Sequence, residues 1–381
     1  MMTQDPLTLP FDAEEMLRGL RPWIENESPT FDAVAVNRMM DLVQHDLATL
    51  GARVERVPGR EGLGDSVRAT MPHPRAGEGG ILLLGHMDTV HPVGTLSTLP
   101  FRREGDICYG PGLMDMKGGN YVYLDALRKI LQAGIETPLP VTVLFTPDEE
   151  IGTPSTRDLI EAEAKRHKYI LVPEPACPDG SAVIGRYAIA RFNLTARGTP
   201  SHASWALSEG RSAIAEMARK VAEIEGFTTD DCSFSVGVIH GGQWVNCVSS
   251  TCDAEVLSMA KTQELLDEGV QRMLDLNGGD DAVRLEVRRG VTRPLWKEGQ
   301  PGTMAMLDVA REIASDIGFD LPACSAGGGS DGNFTGALGL ATLDSIGVRG
   351  KGLHTLSEHI EVASLEERAK LAAGLYCRLG G

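Results

Sequence analysis

Three short apolar runs, each ending abruptly in acidic or imidazole side chains, constrain this chain more than any other feature. Residues 81–84 read Ile-Leu-Leu-Leu and lead through Gly85 into His86-Met87-Asp88. Residues 141–145 read Val-Thr-Val-Leu-Phe and lead into Asp148-Glu149-Glu150. Residues 169–172 read Tyr-Ile-Leu-Val and lead into Pro173-Glu174-Pro175. Apolar runs without alternation suit strands buried on both faces, the condition of a sheet covered by helices. The flanking segments agree. Apolar positions at helical spacing (Met39, Met40, Leu42, Val43, Leu47, Leu50) predict two helices across 12–50, strands follow at 52–57 and 66–71, and a helix at 118–133. Strands alternating with helices predict an α/β domain.

The pattern changes after Ser181. Residues 189–195 alternate like a half-exposed strand, a helix follows at 210–225, strands at 233–240 and 248–260, a helix at 262–276 and a strand at 283–290. That order predicts a small two-layer α+β domain with an antiparallel sheet. From Gly302 the α/β style returns, so the small domain reads as an insertion.

With 381 residues there is room for two domains. The formal net charge of −17 argues against nucleic acid or an anionic membrane as partner, because both need basic patches. No apolar run is long enough to cross a bilayer, and the acidic opening stretch (Asp5, Asp12, Glu14, Glu15) does not resemble a signal peptide. The seven scattered cysteines, odd in number and without a CxxC pair, fit a reducing cytoplasm.

Ligands of an open α/β sheet gather at the carboxyl ends of its strands, where the acids and histidines lie. His86 and Asp88, two apart on an extended chain, share a face, so Asp88 can fix the His86 tautomer. Asp115 sits where the glycine-dense stretch 110–119 turns into a helix; taken alone, it reads equally well as a helix cap. Three consecutive carboxylates at 148–150 repel one another unless cations compensate. His354 falls in a late Gly-Leu-His-Thr-Leu-Ser-Glu stretch. Two imidazoles and three carboxylates suit a borderline metal with nitrogen and oxygen ligands, with zinc as the default and manganese or cobalt as alternatives, and one carboxylate is left over as a general base.

Six motifs then occur in one order: GHMDTV at 85–90, GPGLMDMKGG at 110–119, PDEEIGT at 147–153, PEP at 173–175, GTPSHAS at 198–204 and GLHTLSEHI at 352–360. In these the chain resembles the dinuclear zinc peptidases and amidohydrolases, the family of carboxypeptidase G, aminoacylase, acetylornithine deacetylase and succinyl-diaminopimelate desuccinylase, and is closest in style to carboxypeptidase G. The resemblance implies a catalytic domain of mixed central sheet flanked by helices at 1–185 and 294–381, and an inserted lid or dimerisation domain at 186–293. It implies two divalent ions, one bound by His86 and Glu174, the other by Glu150 and His354, with Asp115 bridging. Asp88 would orient His86, and Glu149 would be the general base and acid for a metal-bridging water. It also implies a cis peptide at Asp115–Met116, a homodimer formed through the lid, and an oxyanion contact from His202 with help from Asn246. Gly328 matches the family's glycine loop beside the site, and Arg293 an anion-binding arginine.

One departure bears on substrate. Thirteen residues after the matching asparagine, relatives of the carboxypeptidase G branch carry an arginine that grips the substrate carboxylate; here that position is Met259, leaving Arg186 and Arg293 as anion partners. Trp205 and Trp244 flank the lid histidine and asparagine, as an aromatic wall or as dimer-face packing. The expectation is thus hydrolysis of an amide-type C–N bond in a small N-acyl or peptidyl compound. A deaminating aminohydrolase acting on an aromatic amine is the alternative, and a non-catalytic binding protein the remote one.

Overall fold

A computed structural model describes residues 5–278 and 283–381. The first four residues, part of the stretch read against a signal peptide, and 279–282, inside the expected insertion, lie outside it. The chain divides into two units: 1–185 with 297–326 and 330–381, and 186–296 with 327–329. The expected limits of 294 for the return to the first unit and 293 for the insertion differ by three residues, and the expectation did not include 327–329 in the second unit.

In the first unit the three apolar runs become adjacent parallel strands, Val141–Thr146, Ile81–His86 and Tyr169–Val172, at the centre of an eight-stranded mixed sheet. Arg53–Val57 and Ser66–Thr70 extend one side antiparallel; Ala341–Asp344 (parallel to Tyr169–Val172), Ala182–Arg186 and Ala323–Ala326 extend the other. Successive side chains of a strand point to opposite faces. Ile81, Leu83, Val143, Phe145 and Leu171 enter the main core, whereas Leu82, Leu84, Leu144, Ile170 and Val172 enter a second one with Ile160 and Ala164 of helix Arg157–Ala164. Both faces being buried is why these segments carry no polar alternation. Leu83 is fully buried, so Leu83→Ala should cost about 2–5 kcal/mol. Helices Gly118–Gln132, Pro301–Ile317 and Ala363–Arg378 build the main core. Trp23 of helix Ala13–Glu25 joins them, edge-on to Tyr121 and Phe145 at 5.2 and 6.4 Å between ring centroids.

A second, four-stranded sheet in this unit orders Gly350–Lys351, His359–Glu361, Ile107–Tyr109 and Arg102–Glu104. These strands of two or three residues escaped the periodicity reading because they are too short to show a period. Their role is positional: they bring the segment holding His354 alongside the loop that enters Asp115.

The second unit has four ten-residue antiparallel strands in the order Cys232–Gly241, Thr251–Ala260, Ala188–Arg197 and Arg284–Arg293. Helices Ala213–Glu225 and Gln263–Asp275 supply Met217, Ile224, Leu266, Val270 and Met273 to a core shared with Phe192, Leu194 and Val256. Here the strands alternate buried and exposed, as a sheet covered on one face requires.

Candidate metal centre

His86 is the last residue of strand Ile81–His86, Glu149 and Glu150 open the turn after Val141–Thr146, and Glu174 follows Tyr169–Val172 by two residues. Register between these strands therefore sets the three groups side by side. Asp115 arrives from a tight turn, Leu113–Lys117, that runs into helix Gly118–Gln132. Its own backbone is non-helical (φ −116°, ψ 99°) and the Asp115–Met116 peptide is cis. Asp115 does not cap the helix: its carboxylate points to histidines. Gly119 lets the helix start against the Pro173 carbonyl, where a Cβ would come within 1.9 Å of that oxygen.

The Asp115 carboxylate is divided between two imidazoles. Oδ1 lies 3.2 Å from His86 Nε2 and Oδ2 3.1 Å from His354 Nε2. Glu174 Oε1 stands 3.8 Å from His86 Nε2, and Glu150 Oε2 3.2 Å from His354 Nε2. One ligand atom from each of His86, Asp115 and Glu150 can be chosen so that all three lie within 4.8 Å of one another. His354 adopts φ +60°, a left-handed conformation uncommon for a residue with a side chain.

The His86 ring is held from behind. Its Nδ1 lies 2.9 Å from the Asp88 carbonyl oxygen and 3.3 Å from Asp88 Oδ1, so the main chain of Asp88 is the closer acceptor. The Asp88 carboxylate in turn accepts from Thr30 Oγ1 at 2.7 Å and from the backbone N–H groups of Glu149 and Glu150, each at 3.2 Å. Asp148, though consecutive with them, turns away to accept from Ser155 and Thr156, and burial pushes it up to about 6.

Electrostatics shows what the donor set needs. Burial, then the Asp115 charge, drives both Glu150 and Glu174 above the usual carboxylate range. Hydrogen bonds to Asp115 and Glu150 raise His354 to about 11; burial opposes a charged His86, but Asp115 and Asp88 outweigh it. The carboxylates thus hold more negative charge than the fold alone compensates. Divalent cations with nitrogen and oxygen ligands fit that excess, and would bind here by displacing protons.

Three participants were not singled out from sequence. Glu358 accepts three hydrogen bonds from the N–H groups of the 112–115 turn and a fourth from His91, 2.6 Å from Nε2 to Oε2. The available signal was Glu358's place inside the GLHTLSEHI stretch, four residues after His354. Lys117, also buried, donates to the Trp23 and Asn26 carbonyls, and burial pulls it down to about 7.

The remaining expected residues belong to the second unit. A bridge pairs His202 with Cys247, and Ala203 N–H donates to the Asn246 carbonyl at 2.9 Å, so the two segments bearing His202 and Asn246 are neighbours. His202 lies 5.6 Å from the Trp205 ring, and Trp205 and Trp244 are both exposed. Met259 Sδ accepts from Gly328 N–H at 3.3 Å, the Arg186 Nη1 faces the Gly328 carbonyl at 3.4 Å, and Arg293 packs where Gly329 has no Cβ.

The profile of Peptidase family M20/M25/M40 matches residues 82–378. The chain is 32% identical to carboxypeptidase G2 of Pseudomonas sp. (strain RS-16) over 96% of its own length and 89% of that protein's. It is 28% identical to succinyl-diaminopimelate desuccinylase of Xanthomonas campestris pv. campestris (strain B100) over 78% of this chain and 83% of that one. The M20 family metallo-carboxypeptidase Sso-CP2 of Sulfolobus solfataricus shares the fold, with a TM-score of 0.76 at 17% identity across 96% of this chain and 99% of that one. The chain therefore belongs to peptidase family M20/M25/M40 and is a hydrolase acting on carbon–nitrogen bonds.

Proposed function

We propose that the chain hydrolyses an amide-type bond in a small N-acyl or peptidyl compound, with His86 and Glu174 holding one divalent ion, Glu150 and His354 a second, and Asp115 shared between them. The observation that carries this reading is the division of one carboxylate, Asp115, between two imidazoles at 3.2 and 3.1 Å. Zinc is the expected metal. When bound, a pair of such ions lowers the pKa of water towards neutrality and polarises the substrate carbonyl.

The chain's own groups do the rest. Glu149, buried and fixed through its N–H to Asp88, takes the proton of the attacking water and returns it to the leaving nitrogen. Asp88 holds the His86 ring by its carbonyl and carboxylate, and so fixes which nitrogen faces Asp115. By resemblance, the second unit serves as lid and dimerisation domain, and its His202 and Asn246 meet the developing oxyanion. Gly328 and Arg293 bind substrate in this reading. The odd number of cysteines and the lack of a CxxC pair support a cytoplasmic protein in this reading. No helix among the described residues is long and apolar enough to cross a membrane.

Met259 favours keeping a second reading, a deaminating aminohydrolase, because a thioether cannot grip a carboxylate as arginine does. One substrate panel separates the two: N-acyl amino acids, dipeptides, folate-like compounds and aryl amines, assayed with added zinc or manganese. Release of an amino acid supports the first reading. Ammonia or an arylamine without an amino acid product supports the second.

A further inference from the structure

We propose that Glu358 is a positioning residue of the metal centre, whose carboxylate clamps the 112–115 turn so that Asp115 offers one oxygen to each imidazole. The inference rests on the reading of Asp115 as the shared ligand and adds to it a residue that acts through Asp115 rather than on substrate.

Glu358 is buried, and its two oxygens take four donors. Oε1 accepts from Met114 N–H at 2.8 Å and Asp115 N–H at 3.1 Å; Oε2 accepts from Gly112 N–H at 3.0 Å and faces His91 Nε2 at 2.6 Å. A carboxylate offers about four acceptor positions, so this one is fully used. The turn needs such an acceptor. Gly112 stands at φ +67°, and Asp115 and Met116 leave helical angles, so the N–H groups of this turn cannot all be satisfied by a regular helical ladder. Glu358 meets that need from a segment more than 240 residues away in sequence. The same segment delivers His354 four residues earlier, whose Nε2 meets Asp115 Oδ2. One loop thereby fixes both the backbone of Asp115 and an imidazole its side chain must face.

A neutral amide cannot replace the carboxylate. Glutamine has one acceptor oxygen and two N–H donors, so its NH₂ would point at donors that now point at an oxygen. His91 completes the clamp as a donor to Oε2 from outside the 112–115 turn.

The test uses the full chain carrying Glu358→Gln or His91→Phe. Zinc affinity is measured by competition with a chromophoric chelator, and the cobalt-substituted protein gives a visible spectrum. Glu358→Gln should still take up both ions, each about 10–100-fold more weakly, with altered cobalt bands and a fall in kcat at little-changed KM. His91→Phe should move affinity and spectrum the same way by a smaller factor. If Glu358→Gln does not fold, His91→Phe decides alone. Parental affinity and cobalt spectrum in a folded variant overturn the proposal, even where the metal-free protein melts lower, since a purely structural role would change only that. Asp115→Asn is the control for the underlying reading: two ions held at parental affinity there would defeat the shared-ligand assignment itself, whatever the clamp variants show.

Discussion

The two halves of the centre are built differently. His86 has 1% of its side chain exposed, ends a central strand, and is held from behind by Asp88. His354 has 52% of its side chain exposed and sits on a loop in a left-handed conformation. Asp115 faces both at nearly equal distance. Strand register and the Asp88 support thus fix one half. The other half depends on a loop, which lets it open to water and substrate. Rigid elements give precise sites, whereas loops give adjustable ones.

The largest effect expected from this arrangement falls between the halves. Glu149→Ala should keep both ions and lower kcat by about 10²–10⁴-fold, measured by elemental analysis beside steady-state kinetics. Loss of metal together with turnover would make Glu149 a ligand instead. Next comes the asymmetry itself. On treatment with a chelator, the ion beside His354 should leave about 10-fold or more faster than the ion beside His86, the difference expected of outer support. Biphasic loss in stopped-flow chelation, with His354→Ala removing the fast phase, checks this; a single phase for both ions would erase the contrast drawn above.

A finer probe is Thr30→Val. It removes the 2.7 Å hydrogen bond to Asp88 Oδ2 and should weaken the His86 half by about 10-fold while sparing the His354 half. Equal weakening of both would show that Asp88 supports the centre as a whole.

The smallest effect on the centre is expected from Glu163, which serves as a reference for stability without site chemistry. Burial works against its charge, but hydrogen bonds from His167 and Arg68 win, and the carboxyl is lowered to about 2. A carboxyl depressed on folding stabilises above its ordinary value near 4.5 and loses that contribution as pH falls towards about 2. Glu163→Gln should therefore lower stability by about 2–3 kcal/mol at neutral pH and flatten its decline below pH 4.5, read from denaturant melts, with metal affinity unchanged.

Much of this was legible beforehand because different physical causes left different marks. Strands 81–86 and 141–146 are covered on both faces, which removes polar alternation, while the second unit's Thr251–Ala260 is covered on one face and alternates. The residues proposed for the centre stood out because strand ends are also sequence boundaries, where an apolar run gives way to His86 or to Glu149 and Glu150. Asp115 was ambiguous alone, since an aspartate at the start of a helix reads equally as a cap; the structure turns its carboxylate to His86 and His354. Glu358's only mark was its place inside the GLHTLSEHI stretch, and His91 had none that pointed to a role: their partners lie more than 240 residues apart in the chain, and only the fold brings them together. The small sheet of 102–104, 107–109, 350–351 and 359–361 escaped for a different reason: its strands of two or three residues are too short to show a period.

Anomalous diffraction at the zinc edge, from crystals of the metal-loaded protein, tests the central claim most directly. The account predicts two peaks about 3.5–4 Å apart, one at His86 and Glu174, the other at Glu150 and His354, with an Asp115 oxygen on each. A single peak, or two with Asp115 bound to only one, would contradict it.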